Sequence, residues 1–529
     1  MSPRRFTRAA AIAAAAATTF VLTACAPQQA QSGASRSSNA KSGVVTVGLP
    51  GSISTLDPAK EAGMLNYYVA QVSSEGLLSV SATGELQPAI AQSYEAPDAV
   101  KWVFEIRQDA KFQDGNPVTM DDVLFSLDLA MDAEKSPSTA VYWPQGTTVA
   151  QTGDWEVTIT LPSPAVNFGW TVSSDGGLWI TEKSYYEKAA SYGSAQDLIM
   201  GTGPYKATEF APDSHATFEK VDTWWGGDVD AQTIEFDFFS DENTRLLAAQ
   251  SGDIDIAVQV PAAQYSQYEK IDGIDLKTES DRSYVGLTFD ANVAPFDDEH
   301  VRKAIAHAVD RKSIVDTVLQ GRGEVATGLE PPDQLGSEIG EDKARDMLAG
   351  LTNYDYDLDA AKSELAQSSV PDGFSAELTY PNSIPEMGTA ALAIAAELKK
   401  IGIDLTVTEK PIEEWISKVG TGEYGLYYMS YTSTTGDAAE IPGWLLGESN
   451  PAQYVNAEVQ DLIAKSNAET DPMARAEEII TAADIAQKDV AYSPIWWGES
   501  TTSFGPRVSA NEFTSYFFMT QWAAALTVD

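Results

Sequence analysis

The 529-residue chain has one cysteine, three histidines, and only 34 Lys and Arg against 77 Asp and Glu. Each shortage excludes something. A single thiol, Cys25, permits no intramolecular disulfide, so stability must come from packing. His215, His300 and His307 leave little for metal or acid–base chemistry. His300 and His307 stand seven apart on an expected helix surface, too far for the one-turn pair that clamps a metal. The formal charge of −43 repels nucleic acid and anionic lipid, and no basic patch with interleaved aromatics relieves it. His-Glu-x-x-His, Gly-x-Ser-x-Gly and Walker patterns are missing, as is Gly-x-Gly-x-x-Gly after a strand. Gly201-Thr-Gly-Pro-Tyr205 places a proline where a phosphate loop needs a backbone donor. No catalytic residue, cofactor, metal or nucleic-acid partner is expected.

What is present begins with an address. Arg4, Arg5 and Arg8 precede an alanine-rich apolar stretch from Ala9 to Leu22, followed by Leu22-Thr23-Ala24-Cys25. This is a secretory leader over residues 1–24, too short and wrongly flanked for a spanning helix. Its end resembles the bacterial lipobox, in which the cysteine is diacylated and becomes residue one. Without the leader the charge is −46. Residues 26–42 contain no large apolar side chain and cannot offset the entropy of ordering. Residues 25–43 are therefore expected to be a lipid-anchored flexible linker, a coil of roughly 20–25 Å r.m.s. span. Two acyl chains make such an anchor stable where one does not. The chain is read as exported and tethered outside the cytoplasm on the cell membrane.

The remaining ~490 residues are too many for one simple core. Val44, Val45, Val47 and Leu49 predict a buried strand ended by Pro50-Gly51. A helix is expected around Tyr67 to Leu78, and a strand over Trp102 to Arg107. Thr119-x-x-Asp122 is a capping box, with Val123, Leu127 and Ala130 at helical spacing behind it. Another helix is expected from Asp297, with Val301, Ile305 and Ala308 on one face. A strand over 376–380, a helix over 387–400, Gly402 and a strand at Ile403, Leu405 and Val407 make a βαβ unit with parallel strands.

Several blocks carry a resemblance. They are Leu56-Asp57-Pro58 with Glu75-Gly76-Leu77-Leu78, Pro88 to Tyr94, and Trp102 to Arg107 with Lys111 to Gly115. Gly201 to Tyr205, Trp224-Trp225-Gly226, Ser251 to Asp255, and Pro295 to Ala304 with Asp310-Arg311 follow in order. Over residues 44–505 the chain resembles the solute-binding lipoproteins of ABC importers, peptide/nickel/opine class (family 5). The resemblance implies an α/β, periplasmic-binding-protein-like (class II) fold: two lobes, a hinge, and a ligand cleft between them. Lobe I, enlarged by an extra subdomain, would be 44–284 plus 498–529, and lobe II 285–497. It also implies a monomer that captures a small solute, most simply an oligopeptide, and delivers it to permease and ATPase subunits. Asp114-Gly115, Thr119 and Arg302 would be architectural, Arg302 held by local salt bridges.

The cargo is left open. Peptide-binding members carry an aspartate for the peptide's α-amino group, and here that position falls on the neutral Thr434. A register slip would let Asp437 serve. Ser52 and Ser54 after the first strand, Tyr284 at the lobe boundary, and Tyr431, Thr432, Trp444 and Trp497 complete the expected ligand contacts, the aromatics by stacking. An aromatic, hydroxyl-rich pocket suits an oligosaccharide or another neutral or cationic organic solute as well. A ligand-sensing surface lipoprotein without transport is the alternative of another class.

Overall fold

The computed structural model describes residues 43–529 apart from 62 and 383. The leader, Cys25 and the linker to residue 42 lie outside the described residues. Among those described, no helix is long and apolar enough to cross a membrane.

An 11-stranded sheet runs through the whole body. One half begins at the buried strand Val44–Leu49, parallel to Thr233–Phe238 and to Ile256–Ala257. His215–Lys220 and Tyr205–Ala211 extend it antiparallel. The other half contains Phe374–Pro381 and Ile403–Lys410, parallel and joined by the helix Pro385–Lys399, which is the expected βαβ unit. Gly402 turns between helix and strand at φ +95°, a conformation that only glycine adopts without strain. Leu426–Thr432 follows in this half, beside the two strands that cross the molecule, Asp275–Phe289 and Tyr492–Phe504.

Each half has its own core. Val45, Val47, Leu49, Phe218, Phe236 and the C-terminal Trp522 pack together in the first. Leu287, Val301, Ile305, Leu378 and Ile394 pack in the second. At roughly 1.5–3 kcal/mol per fully buried large side chain, each is sufficient for a lobe. A four-stranded antiparallel sheet forms the additional subdomain of the first lobe, with Lys101–Ile106 and Glu156–Thr160 at its centre. Against it packs Met120–Met131, whose Thr119 and Asp122 make both bonds of the capping box. Val123 and Leu127 are wholly buried there.

Several expectations shift. The helix expected to reach Leu78 spans Met64–Ser73, and Leu78 starts a strand instead. The helix expected from Asp297 begins at Glu299 because Asp298 caps it, accepting from the His300 N–H. Arg302 is not held by salt bridges. Its guanidinium donates to the carbonyls of Phe296, Asp489 and Val490, tying the helix to the turn before the crossing strand. The motifs around Gly201 have a steric cause: a Cβ on Gly201 would collide with the Ser73 carbonyl, and one on Gly203 would stand 2.7 Å from Ser73 C. Glu75 accepts from Trp225 Nε1 at 2.9 Å, and Arg107 stacks 3.6 Å over that indole.

Candidate functional site, the cleft between the lobes

The two crossing strands form the hinge. They pair from Asp275/Phe504 to Ser280/Glu499 in the first lobe, and resume at Tyr284/Trp497 in the second. Between these points the register breaks, leaving Asp281, Arg282 and Ser283 opposite Gly498. A bulge of this kind bends a ribbon locally. A Cβ on Gly498 would lie 2.6 Å from the Asp281 carboxylate, so the Asp281 and Ser283 side chains would have to move to admit one.

Beside the hinge is a cavity of about 360 Å³ walled by both lobes. Met64, Tyr68 and Gln259 come from the first lobe, Ile384, Ser430 and Thr432 from the second. Ser430–Thr432, Ile384 and Gln259 all lie at or just past carboxyl ends of sheet strands, where open α/β sheets bind ligands. A second cavity of about 440 Å³ shares Glu279, Ser280, Gly498 and Glu499 and is walled by Asp333, Trp497 and Tyr516. Burial, then the charge of Asp333, pushes the Glu279 carboxyl above its ordinary value. Burial raises Asp281 and Glu499 too. Arg282 donates to the Ser515 carbonyl and sits 5.3 Å over Tyr516. Arg322 stacks over Tyr265 at 3.1 Å.

Alternation along Leu426–Thr432 turns Tyr431 to the opposite face from Ser430 and Thr432. Tyr431 stacks on Trp444 with centroids 4.8 Å apart, and Trp444 is 40% exposed. The organiser of this loop is Glu440, which the sequence reading missed. Its Oε1 accepts from Tyr431 Oη (3.0 Å), Thr434 N (3.1 Å) and Thr434 Oγ1 (3.3 Å). Its Oε2 accepts from Ser433 Oγ (2.5 Å), Thr435 N (2.9 Å) and Thr435 Oγ1. A hydroxyl run followed by an acid in the first turn of a helix, Glu440–Leu446, is the signal that could have found it.

The other predicted contacts separate. Thr432 lines the hinge cavity. Ser52 and Ser54 are exposed and bond to Asp213 and Glu61, and neither lines the two cavities. Tyr284 is fully buried among Trp415, Tyr427 and Met429 in the second lobe. Trp497 borders the second cavity, but its ring is buried with Leu335, Leu348 and Ile479. Asp437 is not a free charge partner. One oxygen pairs with Arg475 and the other accepts from Asn167 at 2.7 Å. Asn167 belongs to the first lobe, so this bond crosses the cleft. Val166 N to Asn467 O (2.9 Å) and Tyr516 Oη to Asp333 O (3.3 Å) cross it as well. The lobes are closed on one another. Asn167→Ala is expected to loosen that state and weaken ligand binding by roughly fivefold, about 1 kcal/mol for a bond to a charged group partly replaced by water. Titration calorimetry would show it, and unchanged affinity would remove the bond from the closing mechanism.

Separate cores, a two-strand hinge and a cavity walled by both sides define a two-lobed α/β binding protein. The pattern of the bacterial extracellular solute-binding proteins, family 5, matches residues 85–453, and the chain belongs to that family. It is 26% identical over 461 residues to the oligopeptide-binding protein OppA of Bacillus subtilis, covering 82% of this chain and 83% of that one. It is 24% identical over 454 residues to the heme-binding protein A of Haemophilus influenzae (80% and 81%). Among solved structures it resembles AgaA of A. tumefaciens R10 in complex with agropinic acid, with TM-score 0.75, 27% identity, and 92% and 99% of the two chains covered. The chain is the substrate-binding component of an ABC importer, and the family consists of binding proteins, not enzymes.

Proposed function

We propose that this chain is the lipid-anchored receptor of an oligopeptide importer. It would be tied to the outer face of the cell membrane through Cys25 and would act as a monomer. Lobe I is 44 to the register break at 281–283, with 498–529, and lobe II runs from Tyr284, one residue before the boundary expected from the sequence, to 497; a solute held between them favours closure by its greater affinity for the closed state. The closed form is what the permease reads, and ATPase subunits supply the energy. The observation that carries this reading is the cavity of about 360 Å³ at the carboxyl ends of strands from both lobes, a size that suits a small organic ligand. The relatives support peptides, since OppA is named for oligopeptides. They also show breadth, since AgaA holds agropinic acid. Of the expected contacts Thr432 lines the hinge cavity, while Tyr431, Thr434, Trp444, Ser52 and Ser54 line neither of the two cavities.

The test is native mass spectrometry of protein purified from its own medium, with release and identification of the bound solute. A ladder of short peptides is expected. A sugar series or one defined non-peptide compound would replace the substrate class while leaving the receptor role. For the anchor, Cys25→Ala is expected to move the protein from the membrane fraction to the soluble extracytoplasmic fraction. Retention at the membrane would refute lipidation as the tether.

A further inference from the structure

In a chain with 77 acids, one arginine beside the cleft is paired with none of them. Arg322 is partly buried in the wall of the hinge cavity. Among the described residues its guanidinium makes no hydrogen bond and no ion pair, and its Nε is buried without a partner. Every other described arginine gives its guanidinium to a carboxylate or a carbonyl. What Arg322 does make is a stack, 3.1 Å over the ring of Tyr265. Stacking uses the face of the guanidinium and leaves its N–H donors, which lie in the plane, unspent. With Nε buried, the donors left for a solute are those of Nη1 and Nη2. That end of the fork takes a carboxylate in two parallel bonds.

Both lobes set its position. Arg322 belongs to the second, where Glu324 and Val325 pair with Trp497 and Trp496 of the crossing strand. A Cβ on Gly323 would stand 3.0 Å from the Trp497 carbonyl, so the loop lies hard against that strand. Tyr265 belongs to the first lobe, on the helix Tyr265–Tyr268, just past Pro261 and Ala262, which line the cavity. The stacked guanidinium is therefore a feature of the closed state. A group presented only there gives a solute the differential affinity that drives closure.

The cavity of about 360 Å³ that Arg322 lines has room for a small solute. Its other charges are mostly acids: Glu279, Asp281, Glu386 and Glu499 line it too. The field of Arg322 reaches Glu499, but the two form no ion pair. The remaining cation, Arg282, donates to the Ser515 carbonyl. Such a wall disfavours a second negative group on the solute and favours a positive one elsewhere on it.

We infer that Arg322 is the charge anchor of the site and takes a free carboxylate of the solute through Nη1 and Nη2. This rests on the receptor reading above and narrows it to zwitterionic solutes, such as short peptides with both termini free. A peptide capped as its amide, or an oligosaccharide, leaves the guanidinium without a charge partner.

The experiment measures, by calorimetry on the full mature chain, peptides of two to five residues, each as free acid and as C-terminal amide, with maltotriose as a neutral sugar. Wild type is expected to bind the acids at least about tenfold more tightly than the amides, the scale of hydrogen bonds between charged groups. Arg322→Gln, which keeps most of the stem and removes the charge, is expected to lose that preference while circular dichroism stays unchanged. Equal binding of acid and amide by wild type overturns the anchor whether or not the variant folds. Binding of neither at millimolar concentration overturns it together with the peptide class. A preference that survives in Arg322→Gln, with both forms weakened by one factor, assigns the residue to closure through Tyr265 and overturns its contact with the solute. Maltotriose bound in preference to the acids overturns the anchor and leaves the receptor role standing.

Discussion

Arg475→Met is expected to cost about 3–5 kcal/mol of stability, the range for breaking a buried ion pair by removing one partner. Arg475 is 4% exposed and Asp437 2%. The guanidinium pairs with Asp437 and Glu338 and donates through Nε to the Ser466 carbonyl at 2.9 Å. Methionine fills most of the volume but leaves the buried Asp437 and the partly exposed Glu338 without their cation. Gln334 bonds to the Asp437 carbonyl (2.9 Å) and to Ser433 Oγ (2.7 Å), so the loss spreads into the Glu440 loop. The single variant should therefore also bind solute more weakly. Urea unfolding followed by tryptophan fluorescence would give the stability. The triple variant Arg475→Met, Asp437→Asn, Glu338→Gln should recover much of the loss, because it removes the stranded charges together. A loss below about 1 kcal/mol in the single variant would show that Arg475 and Asp437 are solvated, contrary to their burial.

Asp437 also shows how far the sequence could be read. Its neighbourhood, after a strand and before a helix, was legible as a site, and the family resemblance placed it near the cleft. Its partners were not legible, because Arg475 stands 38 residues on and Asn167 lies 270 residues back in another lobe. The same holds for Arg302, whose charge suggested salt bridges while the fold gave it three carbonyls. Local signals fared better. Thr119 and Asp122 form their cap because both partners lie within one turn, and the βαβ unit at 374–410 follows from period and length alone.

Glu330 should make the protein less stable as pH rises, opposite to the usual behaviour of a carboxylate. It is wholly buried, with neither oxygen partnered, and Oε2 lies beside Gly328 in a patch made by Leu348 and Leu351. Burial pushes its carboxyl up to about 7, and does the same to Glu75, also to about 7, and to Asp57, to about 6. An acid whose pKa is higher folded than unfolded holds its proton in the native state after the unfolded chain has released it. Its stabilisation is complete below the unfolded value near 4.3 and is lost as pH climbs through 7. A displacement of that size in one group corresponds to roughly 3 kcal/mol. Asp98, Asp109 and Asp484, whose values are lowered by hydrogen bonds and neighbouring cations, act in the other direction and only in acid. Glu330→Gln, neutral at every pH, is expected to flatten the thermal stability profile between pH 4.5 and 7.5. The variant should match wild type near pH 4.5 and exceed it at pH 8. Melting curves of both proteins in 0.5-unit steps (a spacing of about 0.7 kcal/mol per proton) would resolve this. If the two profiles run parallel, Glu330 is ionised in the native state through a partner or water, and its burial carries no pH dependence.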